Sequence, residues 1–235
     1  MTMLIRRAAE RGMRSLDWYE SWFTFSFGDY YDPRFLGFGA LRALNETRLS
    51  AGRGFAMAER SDLEILTYVC EGALRHRDDL GNDVVTGPGG VQRLSAGAGA
   101  RSSKENASRD KPARFVQIWI LPETSGGAPS FEAAAFAKSD ASGGLRLLAS
   151  SSGARGSVKI QRDVDFHAAA LRAGDVIAHP LGEDREAWIQ VLSGAVLVNG
   201  AALATGDGVG LQDVEVAQIV ADADAEFFLF DMARG

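Results

Sequence analysis

Few side chains in this chain suit catalysis or metal binding at neutral pH. Histidine occurs three times, as His76, His167 and His179, and cysteine once, as Cys70. A single cysteine excludes an internal disulfide and any cysteine-based zinc site, and three dispersed histidines nearly exclude a histidine-rich metal centre. His76, in Leu74-Arg75-His76-Arg77-Asp78, reads as a hydrogen-bonded structural residue on a strand rather than a catalyst. His179 precedes Pro180 and lies near Glu183, Asp184 and Glu186, which suits either a weak surface metal site or plain solvation. His167 has Asp163 and Asp165 nearby, and the alternation of polar and apolar residues there reads as a strand face. Cys70 lies in an apolar strand and is expected to pack as a small inert hydrophobe. Ser150-Ser151-Ser152-Gly153 lacks a nucleophile elbow, and no phosphate-binding glycine loop opens a helix. The aromatic series Trp18, Tyr19, Trp22, Phe23, Phe25 and Phe27 alternates like a strand, so core packing is expected of it rather than ligand stacking.

The whole chain narrows the classes further. Its 235 residues allow one large domain or two small ones. Lys and Arg total 25 against 31 Asp and Glu, a net charge of −6, which argues against direct nucleic-acid contact or an anionic membrane surface. A hydrophobic share of 46% with 24% charged residues is that of a globular protein and not of a disordered chain. No apolar run approaches the roughly 20 residues of a membrane span. The start, Met1-Thr2-Met3-Leu4-Ile5-Arg6-Arg7, has a basic pair without a following apolar stretch, so no signal peptide is read and the cytoplasm is the expected compartment.

The elements that must position any site are short strands. Twenty-seven glycines recur between segments of four to eight apolar or alternating residues, which predicts an all-β protein. Glu64 to Cys70, Phe115 to Leu121, Ala187 to Leu192 and Glu226 to Phe230 are the clearest strands. Leu80-Gly81-Asn82-Asp83, Gly87-Pro88-Gly89-Gly90 and Val198-Asn199-Gly200 are turn signals. Similar strand and turn units in the two halves suggest a duplicated barrel, with the halves meeting near residue 130, as 1–130 and 131–235. Pro122 to Asp140 reads as a linker with one helical turn over Phe131 to Ala137, and Leu147 to Val158 as a hairpin loop.

Several separated motifs occur in the order of a known family. These are Ser21-Trp22-Phe23-Thr24-Phe25-Ser26-Phe27 with Asp29-Tyr30-Tyr31-Asp32-Pro33, then Gly37-Phe38-Gly39-Ala40-Leu41-Arg42, then Val91-Gln92-Arg93-Leu94-Ser95-Ala96-Gly97 and Gln117-Ile118-Trp119-Ile120-Leu121-Pro122. They make the first 125 residues resemble the pirin family, a branch of the cupin superfamily. The second half resembles it more loosely, through Trp188-Ile189-Gln190-Val191 and Gly206-Asp207-Gly208. The resemblance implies two cupin (jelly-roll type) barrels, a bicupin, the second degenerate. It also implies a divalent metal, usually iron, held in the first barrel by three histidines and a glutamate, and in some members the oxidation of quercetin.

The residues aligned with that ligand set are different. The two histidines of the family's first segment become Ala58 and Arg60, the third becomes Ser102, and the glutamate becomes Lys104. Phe23 also stands where the family's opening motif usually has histidine. Ala58 offers no donor, and Arg60 and Lys104 bring positive charge, so no metal and no cofactor are expected here. A one-residue register shift turning Glu105 inward, with Glu59 and Glu64 nearby, is the alternative route to a metal. Two uses of the altered pocket follow. Arg60 and Lys104 either pair with Glu59, Glu64 or Glu105 as a stabilising device, or they hold a small anionic ligand such as a carboxylate or phenolate. The resulting expectation is a monomeric, non-catalytic protein that binds a small anion or an unidentified protein. A quercetin-type dioxygenase with substitute ligands is the competing expectation.

Overall fold

Residues that alternate between apolar and polar can hide their apolar half only by pairing strands into sheets with one face turned inward. The computed structural model describes residues 2–137 and 141–234. It is nearly all-β and holds two cupin domains in one chain, as the turn and strand pattern predicts. The four strands picked out from sequence are present, as Glu64–Glu71, Ala113–Ile120, Arg185–Ser193 and Ala225–Ala233.

Gly12–Ala137 with Val158–Arg162 form the N-terminal unit. Its larger sheet runs in the order Ser130–Ala134, Val91–Ser95, Glu64–Glu71, Ala113–Ile120, Leu41–Leu49, Tyr19–Phe23, Gly12–Leu16. Its smaller sheet runs Gly54–Arg60, Ala100–Asn106, Leu74–Asp78, Asp83–Thr86, antiparallel throughout. Glu64–Glu71 lies inside the larger sheet, and every one of its residues but the last is buried. Leu74–Asp78 alternates between buried and half-buried, with Leu74, His76 and Asp78 on the inner side.

The helical turn expected over Phe131–Ala137 is instead a strand, Ser130–Ala134, paired in register with Val91–Ser95. Alanine's helix preference is worth only a few tenths of a kcal/mol per residue over most alternatives, about what one ladder position can outweigh. The end of the expected linker, 138–140, lies outside the described residues. The loop expected over Leu147–Val158 likewise contains the end of a strand, Leu145–Ser150, then a 3-10 turn, Ala154–Gly156.

Met1–Arg11, Lys138–Ser157 and Asp163–Gly235 form the C-terminal unit. Thr2–Arg6 adds to the edge strand Gly208–Gln212 in antiparallel register. A bare strand edge is a template for unwanted pairing, and the first strand covers it. Arg7 Nη1 donates to Asp207 Oδ2 at 2.8 Å and the Ala8 amide donates to Asp207 Oδ1 at 2.7 Å, which pins the turn after that strand. Within the unit a dense core of Ile189, Val191, Val209, Leu211, Phe227 and Leu229 is fully buried. The hairpin Ala195–Val198 to Ala201–Ala204 turns through Asn199 and Gly200 at φ 45° and 85°, the pair of positive values that a two-residue hairpin loop needs.

The Asp207 clamp carries a testable consequence. Asp207→Ala strands the Ala8 amide and leaves Arg7 Nη1 only its bond to the Ala202 carbonyl, at an expected cost of about 1–3 kcal/mol. Urea unfolding should show that loss with an unchanged slope, and an unaltered midpoint would rule the clamp out as an anchor.

Candidate functional site

The N-terminal unit encloses a cavity of about 640 Å³, within the range of pockets that take small organic ligands. Strand geometry puts alternate residues on one face, and Ala58 and Arg60 on Gly54–Arg60 accordingly line it, with Ser102 and Lys104 from Ala100–Asn106. Ser102 pairs with Ala58 across the ladder, and Lys104 with Phe55. The four residues Phe55 to Ala58 lie opposite the three from Lys104 to Ser102, so the ladder is bulged there, and both Phe55 and Ala56 reach the cavity. The four positions singled out from sequence therefore line one chamber.

The expected acids are not with them. Glu64 lies on the other face of its strand from the cavity-lining Ile65 and accepts a hydrogen bond from Ser95 Oγ at 2.8 Å, while burial raises its pKa. Glu105 neighbours Lys104 in sequence, so it faces outward, where Arg77 Nη1 reaches it at 3.2 Å. The contact of Arg60 with Glu59 is to the backbone: Nη1 donates to the Glu59 carbonyl at 2.6 Å. The Arg60 guanidinium lies 5.3 Å from the centre of the Trp119 ring, a cation–π distance. The expected pairing of Arg60 and Lys104 with the carboxylates of Glu59, Glu64 or Glu105 is therefore corrected.

Lys104 instead ends a buried chain of polar groups. Its Nζ lies 3.4 Å from His76 Nδ1, and His76 Nε2 lies 2.9 Å from Asp78 Oδ2. Asp78 Oδ1 accepts from the amides of Leu80 and Asn82 at 3.0 and 2.9 Å. An ionised carboxylate only accepts, so the His76 proton sits on Nε2 and its Nδ1 lone pair faces the lysine. Burial, then the Lys104 charge, lowers the His76 pKa to about 4. Burial works against the Asp78 charge as well, but the hydrogen bonds from His76 and Asn82 hold its pKa below the usual value. Phe131 stacks on the His76 ring at 4.2 Å and 12°, so the strand that replaces the expected helix also fixes this imidazole.

The walls are aromatic. Tyr19, Phe23, Phe27, Phe55, Phe115 and Trp119 all line the cavity, which corrects the assignment of Tyr19, Phe23 and Phe27 to core packing alone. Asn45 Oδ1 also belongs here: the residue lines the cavity, is 5% exposed, and its carbonyl oxygen has no hydrogen-bond partner. The sequence reading missed Asn45 and the Lys104–His76–Asp78 chain. The i, i+2 spacing of His76 and Asp78 on a strand was the one available signal.

In the C-terminal unit His179 Nε2 meets Asp231 Oδ2 at 2.7 Å, not the acids at 183, 184 and 186, and Arg185 bridges Asp231 and Asp163. Glu186 is buried and takes a bond from Gln212 Nε2 at 2.7 Å. His167 sits 5.7 Å from the His179 ring, and burial, then His179, lowers its pKa to about 4. Cys70 is buried, as expected.

Fold and site together define a cupin-type two-barrel protein with an aromatic-walled cavity in its first barrel. Family models described as Pirin and as Quercetinase C-terminal cupin domain match residues 5–120 and 147–232. The Quercetin 2,3-dioxygenase of Escherichia coli (strain K12) is 41% identical over 97% of both chains, and a Pirin-like protein of Caulobacter vibrioides is 41% identical over 92% of this chain and 93% of its own. The bacterial pirin YhhW from Escherichia coli, solved in complex with nickel(II), superposes with a TM-score of 0.94 at 39% identity over 100% of both chains. The chain belongs to the pirin family.

These relatives correct the expectation that no cofactor is involved: the family includes a nickel(II) complex at 39% identity and proteins named for a dioxygenase. The residues at positions 58, 60, 102 and 104 nonetheless do not fit such an ion, because they offer a methyl group, a guanidinium, a hydroxyl and an ammonium. Among the described residues no three of His, Cys, Asp and Glu are grouped to hold a metal. No step below is routed through one.

Two predictions follow from the buried groups. Lys104 is 6% exposed, and burial lowers its pKa from 10.5 to about 8. The unfolded chain then holds this proton more tightly than the folded one, so stability rises with pH between about 8 and 10.5. Relative to wild type, Lys104→Met should lose about 3 kcal/mol between pH 7 and 10.5, read from urea unfolding at both pH values. A constant difference would show that the amine is not depressed. For His167 the folded pKa is also the lower one, so stability falls as pH drops from 6.5 toward 4. His167→Gln should flatten that acid limb, and a limb as steep as wild type would exclude His167 as a contributor.

Proposed function

We propose that the first-barrel cavity binds a planar polyphenol of the flavonol class and that the chain acts on it as a quercetin 2,3-dioxygenase. The single observation that carries the binding is the aromatic-walled chamber of about 640 Å³, whose lining includes Asn45 with a buried carbonyl oxygen that makes no hydrogen bond. A buried acceptor left open costs free energy that a ligand hydroxyl would recover. The aromatic walls offer faces for a flat ring system, and Arg60 and Lys104 offer positive charge to an ionised phenolic oxygen. The 41% identity to a protein named Quercetin 2,3-dioxygenase supports the substrate class and the reaction.

A second reading, binding of an anionic aromatic without turnover, is favoured by one observation: the residues at positions 58, 60, 102 and 104 present no imidazole or carboxylate to the cavity. One experiment separates the two. Quercetin is titrated against the protein by quenching of tryptophan fluorescence, and oxygen uptake is followed with and without added nickel(II) or iron(II). Saturable quenching is expected, with Kd raised roughly tenfold or more by Arg60→Met or Asn45→Leu. Oxygen uptake above the buffer rate supports the dioxygenase, and tight binding without uptake supports the second reading. Absence of saturable binding, or variants indistinguishable from wild type, sinks both.

A further inference from the structure

We propose that Lys104 is a nucleophilic amine that condenses with the carbonyl group of an aromatic aldehyde or ketone seated in the first-barrel cavity, forming an imine. The proposal uses the same cavity as the flavonol reading but not its substrate, so either can fail alone.

Three features of the geometry carry it. Lys104 is buried and is one of the residues lining the aromatic chamber, so a ligand seated there lies beside it in place of bulk water. His76 Nδ1, 3.4 Å away, accepts one N–H and so fixes where the rest of the amine points. His76 in turn is held by Asp78 and by the stacked Phe131. A lysine that must act as a nucleophile has to be unprotonated, and a desolvated site favours that form. Burial accordingly brings its pKa to about 8, which leaves a usable share of free amine near neutrality. The titratable or charged groups lining the cavity with it are Arg60, Arg14, Asp29 and the phenols of Tyr19 and Tyr30, while His76 and Asp78 lie buried behind it. Asp78 is the one whose charge raises the lysine's pKa, and it does not overcome the effect of burial.

The step balances without any added reagent. The amine lone pair attacks the carbonyl carbon, a C–N bond forms, and the carbonyl π electrons move to oxygen. One amine proton passes to that oxygen, giving a carbinolamine. The hydroxyl then leaves with the second amine proton as water while the C=N bond forms. Arg60, over Trp119, suits an ionised ring substituent on the same ligand. Lys104 is the catalytic residue in this scheme, and His76 and Asp78 are positioning residues.

Only four lysines occur in the chain, at 104, 111, 138 and 159, which makes the test sharp. The full-length protein is incubated with 4-hydroxybenzaldehyde and sodium cyanoborohydride, which reduces an imine to a stable secondary amine, and the adduct is mapped by peptide mass spectrometry. The expected result is one hydroxybenzyl group on Lys104, formed at least tenfold faster than on Lys111 or Lys159. Its rate should rise with pH to a plateau above about 8, and Lys104→Arg should abolish it. Asp78→Asn should move that midpoint to lower pH, because the charge that favours the ammonium is gone, and an unmoved midpoint overturns the positioning role. Label spread evenly over the lysines, or absent from Lys104 in the folded wild-type protein, overturns the proposal, and this reading does not depend on any variant folding.

Discussion

The register of one strand, Ala100–Asn106, decides what the first barrel can do. It lies between Gly54–Arg60 and Leu74–Asp78, with Ser102 opposite both Ala58 and Asp78, and Lys104 opposite His76. Side chains alternate, so a slip of one residue would turn Glu105 inward and expel Lys104. The observed register instead gives Glu105 to Arg75 and Arg77 on the outside. Those outer ion pairs and the inner lysine are two consequences of one pairing, and the outer pairs oppose the slip.

That register creates an electrostatic problem which the rest of the site answers. A buried ammonium is costly unless it is paired or gives up its proton. The Lys104 amine meets the His76 imidazole, and Asp78 acts on it through that intervening ring. The imidazole is kept neutral by its own burial, so it can accept from the lysine without adding charge. The lysine settles at a lowered pKa, and the cost appears as reduced stability at neutral pH. Such a cost is common where a site is arranged for chemistry rather than for maximal stability.

Much of the fold was legible because it depends on period and turn chemistry. Richness in β-branched and aromatic residues announced Glu64–Glu71 and Ala113–Ile120, and Asn199-Gly200 announced its hairpin. Ser130–Ala134 was not legible, because Phe-Glu-Ala-Ala-Ala carries a helical preference that only pairing with Val91–Ser95 overrides. The first strand's place beside Gly208–Gln212 was hidden for the same reason: about 200 residues separate the partners, and no local signal encodes the contact. In the site, the strand register read from the family motifs is the one in which Ala58, Arg60, Ser102 and Lys104 line one chamber. The partners of Lys104 were not, since acids close in sequence drew attention away from a histidine 28 residues earlier that lies directly across the ladder. Tyr19, Phe23 and Phe27 also line the cavity, because alternation says that a face is buried and not whether a core or a cavity lies behind it.

The two barrels show how one architecture handles an inward polar cluster in opposite ways. In the C-terminal barrel His179, Asp231, Arg185 and Asp163 bond to one another, so most of their polar capacity is spent inside the cluster. In the N-terminal barrel the chain Asp78, His76, Lys104 ends at a residue that lines the cavity, and Asn45, another lining residue, has a carbonyl oxygen without a hydrogen-bond partner. Fold alone does not separate these cases, since both clusters sit on strands of the same type. What separates them is whether the last group in the chain meets another side chain or a chamber of about 640 Å³. An unfinished network of that kind is completed only by a ligand, and for that reason the chemistry of this protein is argued from its first barrel.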